Sequence, residues 1–346
     1  MANISIKTIS PIHVGSGRFL NKNTDYFFKD EKLIIVDENK LFEILGSKMI
    51  AKWIASVEDN VDLTSFLHNE KIELNAEDVA LRILPITGNI NRAKSLQSIK
   101  EHVINGMGLP YIPGSSIKGA IRSAIFNEQV RKGSKINTDL LKRNNRYSGE
   151  SLEKKLFGID PNHSIFRFLR IGDVHFPENS TMALIMDNIN LKGNPYKPSV
   201  LFDKSKNQLV ESIAISSQSE FRMSFDLKGM EENEKAQHIK HFPNYFRDIQ
   251  ALFQLINVNT KLLLEEEIDF WNDYDDDVAR DYIKKLYDFI RKANSCSANE
   301  CLLRLAHGVG WKFISGNWVK EEDLIEEDDY ERIINASRPG NVNRYK

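Results

Sequence analysis

Two spacings of apolar residues divide the chain. Alternation with a period of two marks a strand with one buried face. It runs through residues 3–13, where Ile4, Ile6 and Ile9 lead up to Pro11. It returns at 32–37 ("KLIIVD"), 82–87, 165–173 ("IFRFLRIGD"), 181–189 ("TMALIMDNI") and 210–227. Spacings of three and four put apolar side chains on one helix face. They occur at 40–56, through Leu41, Ile44, Leu45 and Met49, and at 243–264, through Phe246, Ile249, Leu252, Phe253 and Ile256. Further helices are expected at 115–130, 275–292 and, briefly, 300–307.

The connectors are polar. Gly15 and Gly17 bracket Ser16 in what reads as a tight loop. Residues 88–108 and 133–149 are basic and loop-like, and 192–208 reads as a protruding loop or hairpin. Strands and helices mix without the regular alternation of a doubly wound parallel sheet. The expected class is α+β, with two β-α-β-β-α-β, ferredoxin-like modules carrying insertions. A boundary near residue 177 would give an N-terminal domain of 1–176 and a C-terminal domain of 177–346. A length of 346 residues suits two domains of ordinary size.

A net charge of -2 excludes a globally basic nucleic-acid binder, but the charge is uneven. Residues 88–146 hold 11 Lys or Arg against 3 Asp or Glu, while 262–335 hold 9 against 19. The first stretch suits phosphates and the second repels them. Cys296 and Cys301 make no paired-cysteine framework, so a structural zinc site is not expected. The N-terminus has no apolar signal core and no run reaches 18 apolar residues, so a cytoplasmic protein without a membrane span is expected.

Five segments carry candidate chemistry. In "YIPGSSIKGAIRSAI", residues 111–125, Gly114 and Gly119 are spaced as in a phosphate loop, but Ala120 stands where that loop needs lysine. An NTPase reading fails. Ser115 or Ser116 can cap the helix, and Lys118 and Arg122 share one face four residues apart, so an anion site is possible, as is an ordinary solvated helix start. In "HGVGWKF", Gly308 and Gly310 permit close backbone approach, Trp311 could stack on a base or be buried in a core, and Lys312 could reach a phosphate. In "SPIHVGSG", His13 ends a strand beside Gly15 and Gly17. With His307 it could perform acid–base cleavage of RNA, although nothing in the sequence brings the two together. Asp25 and Asp30 could hold a metal, although pairing with Lys22, Lys29 and Lys32 is the simpler account. Around Tyr196, Lys192, Lys197, Lys204 and Lys206 suit either a nucleotide wedge or a plain surface loop.

In their order, "SPIHVGSG", "YIPGSSIKGAIRSAI", "FRFLRIGD" and "HGVGWKF" resemble the RAMP superfamily of CRISPR proteins. The resemblance spans essentially the whole chain and is nearest to the capping subunits of type III-A effector complexes. It implies one or two ferredoxin-like, RRM-related domains and a non-catalytic subunit without cofactor or metal. It also implies contact with the 3' side of CRISPR RNA (crRNA), at the end of a filament of repeated Csm backbone subunits within the type III-A complex. A role in crRNA maturation and antiviral defence, with host nucleases recruited, is implied too. By motif it places His13, Gly15, Gly17, Gly114, Ser115, Ser116, Lys118, Arg122, Gly308, Gly310, Trp311 and Lys312 at the RNA, and a thumb-like hairpin at 186–210. A processing endoribonuclease and the target-cutting sibling subunit are the alternatives.

Overall fold

The computed structural model describes residues 2–133, 150–187, 189–194, 197–202, 207–226, 229, 244–274, 277–310 and 312–316. The strands are β1 (Ala2–Lys7), β2 (Gly15–Asn21), β3 (Tyr26–Lys29), β4 (Lys32–Val36), β5 (Ala80–Thr87), β6 (Ser98–His102), β7 (Tyr111–Ile112), β8 (Leu169–Ile171), β9 (Val174–His175), β10 (Thr181–Met186), β11 (Ile189–Asn194), β12 (Lys197–Phe202), β13 (Gln208–Ile213) and β14 (Gln218–Phe225). The helices are α1 (Glu38–Glu58), α2 (Leu63–Asn69), α3 (Ala76–Val79), α4 (Ile90–Lys94), α5 (Gly114–Lys132), α6 (Glu150–Phe157), α7 (Ile249–Asn272) and α8 (Asp277–Ser295).

Among the described residues the fold is a mixed α/β structure built on a seven-stranded sheet of order β2-β6-β13-β10-β5-β4-β3, beside a three-stranded sheet β1-β14-β8. The antiparallel pair β10/β13 lies between β5 and β6. Its outer neighbours pair in parallel, Ala183 with Ile86 and Leu209 with Ile99. Both parallel pairings join a strand before residue 177 to one after it, and so does the antiparallel ladder of β1 on β14. A boundary at 176/177 therefore runs through both sheets. β11 and β12 form a hairpin inside the span expected to protrude. Tyr196, Lys204 and Lys206 lie outside the described residues.

The strand face carrying Phe27, Ile34 and Val36 packs on Leu41, Trp53 and Phe66 of α1 and α2. The opposite face carries Tyr26, Leu33, Leu84, Ile99 and Leu209 in a second core. A third core joins α5 and α7 to the small sheet through Ile121, Ile125, Phe166, Leu252, Phe221 and Met223. Arg82 of β5 is buried and reaches two other strands of the large sheet. Its Nε donates to Glu211 of β13 at 2.9 Å, and its Nη2 donates to Glu101 of β6 at 3.1 Å.

Several expected elements differ. Residues 15–17 open the edge strand β2, with an irregular register between Gly15 and Phe19, instead of a free loop. Residues 88–108 hold α4 and the interior strand β6, whose buried positions Glu101 and His102 are polar and hide the alternation. Asp30 and Glu31, both at positive φ, form the two-residue turn of the β3/β4 hairpin, where such φ values match the strand twist. Asp25 accepts from the Asn21 N–H at 2.6 Å and holds a turn. Residues 300–307 are not helical. Asn257 and Thr260 of α7 donate to the Glu300 and Leu302 carbonyls, and Asn257 accepts from the Leu302 N–H, so side chains of α7 satisfy this backbone in place of helical bonds. No described helix is long and apolar enough to cross a membrane.

The start of α5 is locked by the segment that follows α6. Its N-cap is Pro113, without a side-chain cap. Neither Ser115 nor Ser116 serves, because the Gly114 N–H donates to the Asp173 carboxylate at 2.7 Å. A Cβ on Gly114 would run into the Ile171 carbonyl and come 2.9 Å from the Gly172 oxygen, whereas a Cβ on Gly119 meets nothing within 4 Å. The two glycines of one motif therefore answer alanine with opposite signs. Gly114→Ala is expected to destabilise by roughly 1–3 kcal/mol. Gly119→Ala, in a helix interior, is expected to stabilise by about 0.5–1 kcal/mol. Urea unfolding of the two variants checks both.

Candidate nucleic-acid interface

Three histidines far apart in sequence meet beside the open end of the large sheet. His13, 6% exposed, follows the Ile12–Ile213 bridge. Its Nδ1 lies 2.6 Å from the Glu211 carbonyl oxygen. A carbonyl only accepts, so Nδ1 carries the proton and Nε2 is left as an acceptor. A Cβ on Gly15 would come within 3.2 Å of that Nε2, which makes glycine the residue that fits. His102 is fully buried. Its Nδ1 accepts from the Val14 N–H at 3.2 Å, and its Nε2 donates to the Tyr111 carbonyl at 3.1 Å. The exposed His307 donates its backbone N–H to the His13 carbonyl at 3.0 Å. Ring centroids lie 5.6 Å apart for His13 and His307, and 6.0 Å for His13 and His102.

Burial pulls all three imidazoles below their ordinary pKa, and His102 falls to about 4. The positive charge of Lys100 adds to the depression at His13 and His307. His102 has a structural reason to stay neutral as well, since protonating Nδ1 would destroy the bond from Val14. Among the described residues no group of three His, Cys, Asp or Glu side chains is arranged to hold a metal ion.

The expected site residues fall into two groups. His13, two residues before Gly15, meets His307, which leads into the 308–310 loop. Gly17, Gly308 and Gly310 all take positive φ, and a Cβ on Gly308 would sit 3.5 Å from Met186 Cε of β10. Gly114, Ser115, Ser116, Lys118 and Arg122 lie on the first turns of α5, with Ser115 exposed and Lys118 half-buried. Burial lowers the Lys118 ammonium. Arg122 pairs with Glu153 at 2.9 Å and lies over the Phe157 ring. Lys312 pairs with Glu266 at 2.8 Å. Ser123 Oγ of α5 donates to the Ile314 carbonyl at 2.7 Å, which ties α5 to the segment after the glycine loop. Trp311 lies outside the described residues.

Sequence reasoning missed His102, Lys100 and Phe19. The first two sit in β6, which has one apolar residue buried between polar ones. Phe19 stands opposite Lys100 on the edge strand β2 and is 62% exposed. The irregular register after Gly15 breaks the alternation that would have revealed β2.

The family model of the RAMP superfamily matches residues 5–311. The CRISPR system Cms protein Csm5 of Streptococcus thermophilus is 24% identical over 224 residues, covering 60% of this chain and 61% of that protein. The protein of the same name from Methanocaldococcus jannaschii is 30% identical over 180 residues, covering 49% of this chain and 42% of that protein. The matched region thus spans less than two thirds of either relative. The crystal structure of T. onnurineus Csm5 shares the fold with a TM-score of 0.63 at 16% identity, over 90% of this chain and 92% of that one. A chain in the cryo-EM structure of a Csm–crRNA–target RNA ternary complex of a type III-A CRISPR-Cas system gives 0.64 at 19% identity, over 97% and 90%. At these identities the likeness is one of fold.

The neutral His102 makes stability depend on pH. Its folded pKa of about 4 lies below the ordinary 6.5, so the unfolded chain takes the proton first. This contribution is complete above pH 6.5 and is lost as pH falls towards 4. It amounts to roughly 1 kcal/mol between pH 7.5 and 5.5. Urea unfolding at those two pH values is expected to show that loss in the wild type and a smaller one in His102→Gln.

Proposed function

The chain belongs to the RAMP superfamily, and we propose that it serves as a non-catalytic, crRNA-binding subunit of a type III-A CRISPR effector complex. In this reading it caps the 3' side of the guide at the end of a filament of repeated Csm subunits and contributes to crRNA maturation and assembly. The observation that carries the reading is the way the four family segments meet. "SPIHVGSG" and "HGVGWKF" join through the His307 to His13 backbone bond, and "YIPGSSIKG" joins "FRFLRIGD" through Gly114 and Asp173. The curated relatives, named Csm5, support it. The mixed sheet is then two ferredoxin-like halves fused through β5/β10 and β6/β13. Ser115 and Lys118 on α5, with the glycine-rich start of β2 at 15–17 and the turn at 308–310, are the RNA contacts. Among the described residues Lys118 has no ion-pair partner, whereas Arg122 and Lys312 each have one. Backbone phosphates therefore fall to Lys118 ahead of those two.

One observation favours a second reading. The edge-to-face contact of His13 and His307 sets a buried imidazole with an unprotonated Nε2 beside an exposed one. That is raw material for metal-independent cleavage of repeat RNA.

Co-expression with the other complex subunits and a CRISPR array, followed by native mass spectrometry, tests the first reading. One copy per complex is expected, with crRNA 3' ends that change when the chain is omitted. Several copies per complex, or guide ends indifferent to the chain, would refute the cap. The purified chain is expected to leave repeat RNA intact in EDTA. Discrete cleavage lost in His307→Ala would establish the nuclease instead.

A further inference from the structure

The open end of the large sheet carries a surface that none of the family segments assigns. β2 is the sheet's edge, and Phe19 on it faces solvent opposite Lys100 of β6. The Lys100 ammonium lies 5.9 Å from the Phe19 ring centroid. The next pair on the same face is Asn21 with Ser98, both uncharged and polar. Gly17, at φ +88, has nothing within 4 Å of where its Cβ would be, so the backbone beside Phe19 is open.

Charge distinguishes this patch from an ordinary exposed aromatic. Among the described residues Lys100 makes no ion pair. The nearby carboxylates, Glu101 and Glu211, are directed to the other face of the sheet and held there by Arg82. Its positive charge is felt at His13 and His307, whose imidazoles it helps to hold below their ordinary pKa. A flat ring, an uncompensated cation, a polar pair and open backbone suit a nucleotide: base on ring, phosphate on ammonium, sugar against the glycine. An apolar protein surface would leave Lys100 desolvated and unpaired.

We propose that Phe19 and Lys100 form a seat on which one base of single-stranded RNA stacks, apart from the α5 contacts. This rests on the RNA-binding reading above and adds a place and a mode to it.

The test uses the full chain and single-stranded RNA of CRISPR repeat sequence carrying 4-thiouridine, crosslinked and mapped by mass spectrometry, with affinities from fluorescence polarisation. Adducts are expected on the peptide containing Phe19. Phe19→Ala is expected to bind about tenfold more weakly, while Phe19→Tyr, which keeps the ring, binds as wild type does. Adducts only elsewhere, with Phe19→Ala binding at wild-type strength, would overturn the seat and leave RNA binding standing. A wild-type chain that neither crosslinks nor binds would overturn both. A defect in Phe19→Ala that Phe19→Tyr shares would also refute stacking, because the ring would then not be the feature that matters.

Discussion

The buried ion triad of Arg82, Glu101 and Glu211 is the constraint on which the sheet depends. All three side chains are almost fully buried, and each comes from a different strand. Burial pushes the Glu211 carboxyl above its ordinary pKa, while Arg82 and the His102 N–H oppose that rise. Desolvating three charges costs several kcal/mol per ion, which only close, multiple hydrogen bonds can offset. Arg82 provides them by bonding both Glu211 oxygens, at 2.9 and 3.2 Å, and Glu101 at 3.1 Å. Such a group tolerates no slip in register. It fixes β5, β6 and β13 relative to one another across the parallel pairings, where no short hairpin turn could set the register.

Glu211 carries that constraint to the opposite face. Its carboxylate accepts from the His102 N–H while its carbonyl accepts from the His13 ring. His13 in turn receives His307 through its own carbonyl. A chain of backbone and side-chain bonds thus runs from the triad to the glycine loop near the end of the described chain. The rings of His13 and His102 act here as rigid connectors, each with a tautomer its partners define, and His307 joins through its backbone N–H. This is the physical reason that segments near residues 13, 102 and 307 meet, and it has no local signature in the sequence.

The legible parts of the fold were those with apolar periodicity. The strands at 32–37 and 82–87, helix α5 and the long helix α7 follow from spacing alone. The illegible parts were those where burial is polar or shared. β6 reads as a basic loop because Glu101 and His102 are buried by long-range partners at residues 82, 211, 14 and 111. The expected helix at 300–307 has suitable residues, but its backbone groups find their partners on α7. For the site, the motif glycines were recognisable. The assignment of Ser115 or Ser116 as cap failed because the true partner of the helix start, Asp173, lies 59 residues away from Gly114.

The same long-range pairing decides which charges remain for a ligand. Counting Lys and Arg along residues 88–146 suggests a broadly basic surface, yet proximity in sequence says little about availability. Arg122 is held by Glu153 and two aromatic rings, and Arg131 by Glu128 and Asn259. Such cations stabilise the fold and their fields are largely cancelled at short range. Lys100 differs because the sheet separates it from the carboxylates next to it in sequence and in space. Alternation sends Glu101 through to the other face, where Arg82 neutralises it. A strand can thus place a cation and an anion one residue apart and still present a single sign of charge to solvent. An electrically near-neutral chain thereby gains a local field of one sign without becoming a basic protein.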